Sequence, residues 1–511
     1  MMKTVDFEGI PFHFIGIGGI GMSALAYVLA KRQLPVSGSD VRPSHITERL
    51  QSVGVKIFNQ QIASNLEIFQ PVNGSVREKL AVGQGGIKPD NAPNHSVSER
   101  NDTNGKGDHP SERLPQVICS TAISHKNEEY QAALEKGCPI YHRSDVLASL
   151  IQDYYGIGVA GTHGKTTTSS LIGYVLLEAG LDPTIIVGGE VDAWDGNARL
   201  GLGKYLVAET DESDGSLTKH LPKIGIVTNI ELDHPDHYQS LEQVVGIFQT
   251  FESNCETLIG CADCEVVMSA LKPQITYSLH PEKQADYTVK NISYASGHSS
   301  VEVWERGQCL GTMQVSLPGD HNISNALAAV AVGRLLAVNF ETIAAAIAGF
   351  GGAKRRFELK GVCNGITFID DYAHHPSELL ATLAAARQKV THGVDKLTTS
   401  GEYTRIVAIF QPHRYSRTSI FLEEFATSFK DADLVILTDI YGAGETNTMN
   451  IQGEDLVKAV RKHHKNVIYQ PSLVELTQFL GKTLQSGDLT LFLGAGNLNQ
   501  IIPDVLANCS P

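Results

Sequence analysis

The sequence predicts an α/β protein of three successive domains. Three observations carry that reading. Strand-like and helix-like segments alternate in three separate runs, the pattern of parallel sheets covered by helices on both faces. Two glycine corners, FIGIGGIGMSALA at 14–26 and GVAGTHGKTTTSS at 158–170, each follow a strand signal and precede a helical one. The chain has 511 residues, enough for three domains at roughly 150 residues each.

In the first run, 1–152, FHFIGIG is a buried strand, MSALAYVLAKR a helix, and PVSGSD a second strand with its end. HITERLQSVG is a helix and VKIFN the next strand. QVICSTAIS and PIYHRS are two more strand signals around the helical NEEYQAALEKG. Residues 74–114 interrupt this run. They are rich in Gly, Pro, Asn, Ser and charge, with few aliphatic and no aromatic side chains. Such a segment buries too little surface to offset its chain entropy, so a disordered surface insertion is expected. The second run, 153–352, opens at YGIGVAGTHGKTTT. It continues through YLVAET, IGIVTNI, ITYSL, YTVKNISY and VEVWERG to the helical LPGDHNISNALAAVAVGRLLA. The third run, 353–511, has strand-like ITFIDDYA, RIVAIFQ, LVILTDI and LTLFLGAG, with helices such as SELLATLAAARQKV between them and a polar insert near 390–403.

The totals exclude several classes. A formal charge of -15 argues against a broad basic face, so no nucleic-acid partner is expected. Residues 323–349 are long and apolar, but Arg334, Asn339 and Glu341 interrupt them, so no membrane span is expected. The start lacks a basic segment followed by an apolar one. Eight cysteines are scattered without a secretory signal, the usage of a reduced, cytoplasmic protein. Cys261-Ala-Asp-Cys264 has no second ligand pair and reads as ordinary thiols.

Gly16, Gly18 and Gly21 fit G-x-G-x-x-G, and Asp40 stands where an acid would take a ribose hydroxyl. Three glycines let the backbone approach a diphosphate at a helix N-terminus. The pattern alone does not separate NAD, FAD or UDP. In the second corner, Gly164-Lys165-Thr166 supplies a phosphate-binding lysine and a hydroxyl suited to magnesium. The full phosphate-loop pattern has glycine five before Gly164, where Val159 stands; Gly161 sits three before it instead. A nucleoside triphosphate is expected there.

Acids and histidines gather after later strands. VAETDESDG places Glu209, Asp211, Glu212 and Asp214 at a strand end, where magnesium could take carboxylates. NIELDHPDHY places Glu231, Asp233, His234, Asp236 and His237 after another. His234 and His237 suggest a zinc pair, but no third ligand follows at suitable spacing. An ATP–magnesium site uses the same acids and a histidine. FIDDYAHHP supplies Asp370, Asp371, His374 and His375, IFQPHRYSRT supplies His413, Arg414, Tyr415 and Arg417, and KRRFE opens the third run with three cations. Ligands of open α/β sheets collect beyond such strand ends.

These motifs, together with STAIS and PGDHNISNALAA and in this order, resemble the Mur ligases of bacterial cell-wall synthesis. The resemblance covers the chain apart from the two inserts. The pairing of HFIGIGGIGMS with HRYSRT is similar to the alanine-adding branch. It implies a Rossmann-like UDP-binding domain, a central P-loop ATPase-type α/β domain and a C-terminal Rossmann-like α/β domain. The implied reaction uses ATP and Mg2+ to join L-alanine to the lactyl carboxylate of UDP-N-acetylmuramate through an acyl phosphate, in peptidoglycan synthesis. A murein-tripeptide ligase or another amino-acid ligase of the family is the alternative.

Carried over by motif, Lys165, Glu209, His234, Arg356 and His374 are the expected catalytic residues. Gly161, Thr162, His163, Gly164, Lys165, Thr166, Thr167, Asn322, Asn325, Arg356 and Asp371 would meet ATP. Thr166, Glu209 and His234 would meet magnesium. Gly16, Gly18, Gly19, Gly21, Asp40 and Ser120 would meet the UDP-sugar, with Gly188, Gly189 and Arg199 near its muramyl group. His374, His413 and Arg414 would meet L-alanine, the guanidinium forking onto its carboxylate. Residues 238–254 contain no lysine, unlike relatives that carry a carbamylated one. A monomer or homodimer in the cytoplasm is expected.

Overall fold

The computed structural model describes residues 5–69, 114–295, 297–392 and 403–509. Residues 74–113 of the expected insertion, and 393–402 of the smaller insert, lie outside them. The described residues form three sheets, met in chain order.

The first sheet holds β1 (Phe12–Ile15), β2 (Val36–Ser39), β3 (Lys56–Phe58), β4 (Gln116–Cys119) and β5 (Ile140–His142), all parallel, in the order β3-β2-β1-β4-β5. The order reverses at β1, so the first glycine corner leaves the sheet at its switch point. All four residues of β1 are buried, His13 included. Its ring nitrogens are satisfied by Ser37 Oγ and Glu129 Oε1, each at 2.8 Å, which is what a buried imidazole needs.

The second sheet holds β6 (Tyr155–Ala160), β7 (Thr184–Val191), β8 (Gly196–Arg199), β9 (Tyr205–Glu209), β10 (Ile224–Val227), β11 (Thr257–Cys261), β12 (Ile275–Ser278), β13 (Tyr287–Ala295), β14 (His298–Glu305) and β15 (Gln308–Val315). Its order is β15-β14-β13-β12-β11-β10-β6-β9-β7-β8. The centre is parallel. The ends are not: β13–β15 form an antiparallel meander and β8 runs antiparallel to β7. The strand β6 lies between β9 and β10. The second glycine corner therefore sits between the acid-rich ends of β9 and β10.

The third sheet holds β16 (Glu358–Cys363), β17 (Ile366–Asp371), β18 (Arg405–Phe410), β19 (Leu434–Leu437), β20 (Val467–Tyr469) and β21 (Asp488–Leu493), in the order β16-β17-β21-β18-β19-β20. Only β16 is antiparallel within it. Both β17 and β18 pair with β21, so the segments carrying His374 and His413 emerge on the same edge.

The sheets are not independent. Met22 and Leu25 of the helix Ile20–Lys31 share one core cluster with Ile186, Ala198, Leu206 and Ala208 of the middle sheet. Burying that apolar face fixes the first corner beside the second. Among the described residues, no helix is long and apolar enough to cross a membrane.

Candidate active site

A cleft of about 780 Å³ opens where the three sheets meet. Gly19, Gly21 and Ser120 line it from the first domain. Thr162 to Thr166, Gly188, Gly189, Glu209 and His234 line it from the middle. Arg356, His374, His413 and Arg414 line it from the third.

The phosphate loop is held from below. Gly164 caps the helix Lys165–Glu178 with φ +80, a left-handed conformation open to glycine, and a Cβ there would lie 2.8 Å from Asn325 Oδ1. His163 N donates to Asn229 Oδ1 at 2.8 Å, and Thr228 Oγ1 donates to the His163 carbonyl at 2.6 Å. Glu231 N donates to Thr162 Oγ1 at 2.8 Å. The segment after β10 thus sets the loop's shape.

Lys165 curls over this loop. Its Nζ donates to the Gly161 carbonyl at 2.7 Å and to both oxygens of Glu212, at 3.0 and 2.8 Å. Burial opposes its charge, but Glu212 and Asp211 outweigh that and hold it protonated. Asp211 stays well below the usual carboxylate range, against burial, because Lys165 and Arg143 face it.

Thr166 Oγ1 donates to Glu209 Oε1 at 3.2 Å, and Gly188 N donates to Glu209 Oε2 at 2.7 Å. His234, at φ +55, points its ring elsewhere: Nε2 lies 3.7 Å from Glu212 Oε1 and 3.7 Å from Asp233 Oδ2. Ligand atoms of Asp211, Glu212 and His234 all lie within 4.8 Å of one another. Thr166 with Glu209, and His234 with Asp211 and Glu212, thus form two neighbouring groups of the donor types that a divalent cation takes beside phosphate oxygens.

The third domain adds cations and histidines. Arg356 lies over the Tyr372 ring at 5.3 Å. His374 Nδ1 sits 3.0 Å from the Tyr372 carbonyl and 3.1 Å from Glu378 Oε2, and the backbone N–H of His374 donates to the same carboxylate at 2.9 Å. His413 stacks 5.8 Å from Tyr441 and packs 5.9 Å from His374. Burial, and next the neighbouring His374, push its pKa down to about 3. Arg414, at φ +69, donates to Asp236 Oδ2 at 2.8 Å and Glu445 Oε1 at 3.3 Å.

Other expected residues lie around the cleft rather than in it. Gly16 and Gly18 form the turn beneath Gly19, with Gly16 N on the Ser39 carbonyl at 2.8 Å. Asp40 spends its carboxylate on Gly18 N at 2.9 Å and Arg42 N at 3.0 Å, so it braces the first corner. Thr167 is buried in the helix after the loop. Asn325 accepts from Thr168 Oγ1 at 3.0 Å, and Asn322 donates to the Pro318 carbonyl at 2.7 Å, both beneath the loop. Asp371 turns inward, accepting from Phe357 N at 2.7 Å and Ala373 N at 2.8 Å; it shapes the KRRFE turn. Arg199 pairs with Asp182 and the Pro183 carbonyl, outside the cleft.

Two residues that sequence reasoning did not single out, Arg143 and Glu378, join the site, and Glu212 gains a definite partner there. Arg143 starts a helix from the first domain and places Nη2 3.2 Å from Asp211. Glu378 ties His374 to the loop residue His163. Glu212 pairs with Lys165 from a buried position. Glu212 was read from the DESD run as a carboxylate for magnesium and here holds Lys165; Arg143 and Glu378 had no local signal.

The comparisons cover this whole architecture. Residues 11–155 match the Mur ligase family catalytic domain, 159–333 the Mur ligase middle domain and 355–496 the Mur ligase glutamate ligase domain. The chain is 68% identical over 507 residues to a UDP-N-acetylmuramate–L-alanine ligase of Synechocystis, covering 99% of each chain. It is 66% identical to one from Crocosphaera subtropica, covering 99% of this chain and 96% of the relative. Among solved structures, UDP-N-acetylmuramate-alanine ligase of Thermotoga maritima superposes with a TM-score of 0.75 at 26% identity, covering 98% of both chains. A murein peptide ligase of Psychrobacter arcticus shares the fold, with a TM-score of 0.65 at 21% identity over 98% of this chain and 99% of its own.

Proposed function

The chain belongs to the Mur ligase family, and on that premise we infer that it joins L-alanine to the lactyl carboxylate of UDP-N-acetylmuramate, using ATP, in peptidoglycan synthesis. The full-length likeness to the alanine-adding relatives carries this reading. The cleft supports it, because two glycine corners and a third-domain cluster face one space.

The chemistry asks for two nucleotides and an amino acid in line. The first corner, with Gly19, Gly21 and Ser120, would receive the UDP-sugar diphosphate, and Gly188 and Gly189 line the same cleft beside Glu209 and Thr166. Lys165 would leave Glu212 for the ATP phosphates. The lactyl carboxylate attacks the γ-phosphorus, ADP leaves, and an acyl phosphate forms. Such a transfer between anions depends on charge neutralisation and alignment more than on covalent help. Lys165, Arg143 and Arg356, which all line the cleft, would supply the cations for it. Magnesium held by Thr166 and Glu209, with His234 turning from Glu212 and Asp233 to join them, would supply further shielding of phosphate charge.

L-Alanine enters as an ammonium and must lose a proton before it attacks the acyl carbon. His374 suits that task. Its Nδ1 faces the Tyr372 carbonyl, which keeps the proton there and leaves Nε2 as the acceptor. Arg414 would take the carboxylate of alanine, exchanging Asp236 for it. The amide bond forms as phosphate leaves.

Phosphate release from ATP and magnesium, with UDP-N-acetylmuramate and L-alanine, glycine, L-serine, D-glutamate or the murein tripeptide, tests the assignment. Release that needs both the UDP-sugar and L-alanine is expected. Release with the tripeptide instead would move the chain to another branch.

A further inference from the structure

Beside the phosphate loop, apart from the residues assigned to magnesium, three more metal-binding side chains converge. His163 precedes Gly164, Glu231 follows β10, and His375 follows β17. Two therefore come from the middle domain and one from the third. One ligand atom from each lies within 4.8 Å of the others. His163 Nε2 is 3.4 Å from Glu231 Oε2, and His375 Nδ1 is 3.9 Å from the same oxygen. The two imidazoles pack with centroids 4.7 Å apart. A tetrahedral zinc with bonds of about 2.0–2.1 Å keeps its ligand atoms roughly 3.3 Å apart, so small side-chain rotations close the set.

Two further observations point to a ligand. Nε2 of His163, the atom that faces Glu231, is buried without a hydrogen-bond partner among the described residues, and His375, only 4% exposed, presents to Glu231 its Nδ1, which also accepts from Ser377 N at 3.3 Å. Buried ring nitrogens are ordinarily paired. The surrounding groups also have the arrangement that orients metal-bound histidines. Glu378 Oε1 sits 3.3 Å from His163 Nδ1, which leaves Nε2 to face Glu231. Ser377 Oγ donates to Glu231 Oε2 at 2.6 Å and fixes that carboxylate.

We propose that His163, Glu231 and His375 form a transition-metal site of the two-histidine, one-carboxylate type, suited to zinc, that bridges the middle and third domains. Magnesium, a hard ion that prefers oxygen, does not compete for two imidazoles. Zinc there takes the place of a proton on His163 and ties the residue before Gly164 to the third domain. The site is thus a clamp on the loop that must take up ATP.

The test titrates the full-length protein with Zn2+ in excess Mg2+, with a chromophoric chelator reporting free zinc. One zinc per chain is expected, with two imidazole ligands by X-ray absorption. Both His375→Ala and Glu231→Gln should weaken uptake at least about ten-fold. The Glu231 side chain is 41% exposed, so its variant keeps the fold even where His375→Ala does not; circular dichroism checks each. No stoichiometric uptake overturns the proposal. So does uptake unchanged in both variants but lost in His234→Ala, which places the ion on the magnesium residues.

Discussion

Arg417 of the third domain closes on Asp233 of the middle domain, with Nε and Nη2 3.0 and 2.7 Å from the same oxygen, Oδ1. Both side chains are nearly buried, at 3% and 5% exposure. Burial opposes the Asp233 charge, but Arg417 holds its carboxyl well below the usual range. This pair crosses the seam between the domains that carry the ATP and alanine residues. It makes closure of the cleft a discrete contact.

Truncating either partner strands a buried charge. Removing one should work against the closed arrangement by about 3–5 kcal/mol. Asp233→Ala and Arg417→Ala should each lower kcat/KM for all substrates together. The double variant should lose less than the sum of the two. Steady-state phosphate release in a double-mutant cycle measures this. Strict additivity would mean that the pair does not act as a unit.

Lys165 sits at the centre of the acid cluster, protonated and aimed into the loop. Lys165→Ala should reduce kcat by roughly 10²–10³ through lost stabilisation of phosphoryl charge. The fold should persist, as circular dichroism would record. Lys165→Arg should not restore turnover, because the planar fork does not fit the space between the Gly161 carbonyl and Glu212.

Arg414 tests the alanine end. Loss of a charge-assisted bond to a carboxylate is worth about 1.5–3 kcal/mol. Arg414→Ala should therefore raise KM for L-alanine about ten- to a hundred-fold and leave KM for ATP close to its starting value. Initial rates with each substrate varied in turn distinguish this from a general loss of closure, which would move both constants.

His220 sets part of the acid stability. It is 1% exposed, and neither ring nitrogen has a hydrogen-bond partner among the described residues. Burial, with Arg143 adding to it, pushes its pKa down to about 4. Unfolding frees the ring to titrate near 6.5. The folded pKa is the lower one, so the unfolded chain binds the extra proton. Stability is full above pH 6.5 and falls as pH drops through about 4, by about 3 kcal/mol for this residue. Thermal unfolding of His220→Phe against the parent between pH 7 and 4 should show a shallower decline in the variant.

Much of the architecture was legible because its signals are local. The two glycine corners, the buried runs of β1, β6, β17 and β18, and the long helix Asp320–Leu335 follow from short-range pattern and turn chemistry. The antiparallel additions were missed although two had a signal. Asn364-Gly365 joins β16 to β17 with φ +48 and +77, and Arg306-Gly307 joins β14 to β15 with φ +48 and +82. Consecutive positive φ values make tight hairpins, and Asn-Gly is their strongest sequence mark. The weaker point was the end of each motif. Asp40, Asp371, Asn322 and Asn325 carry the expected letters; the first three bond backbone groups around the cleft, and Asn325 bonds the side chains of Thr168 and Asn322.

Local pattern along the chain is enough to read the three α/β runs, the two phosphate-type corners and the clusters of acids, cations and histidines at strand ends, because each depends on neighbours a few positions away. Which of these side chains share a space follows from the packing of the sheets. The order β9-β6-β10 puts the acids on either side of Lys165, and β17-β21-β18 brings His374 to His413. The Asp233–Arg417 pair and the His163–Glu231–His375 cluster join residues 184 and 212 positions apart, respectively, at their widest. Contacts of that span arise from how apolar faces of separate sheets bury one another, and no local pattern encodes them.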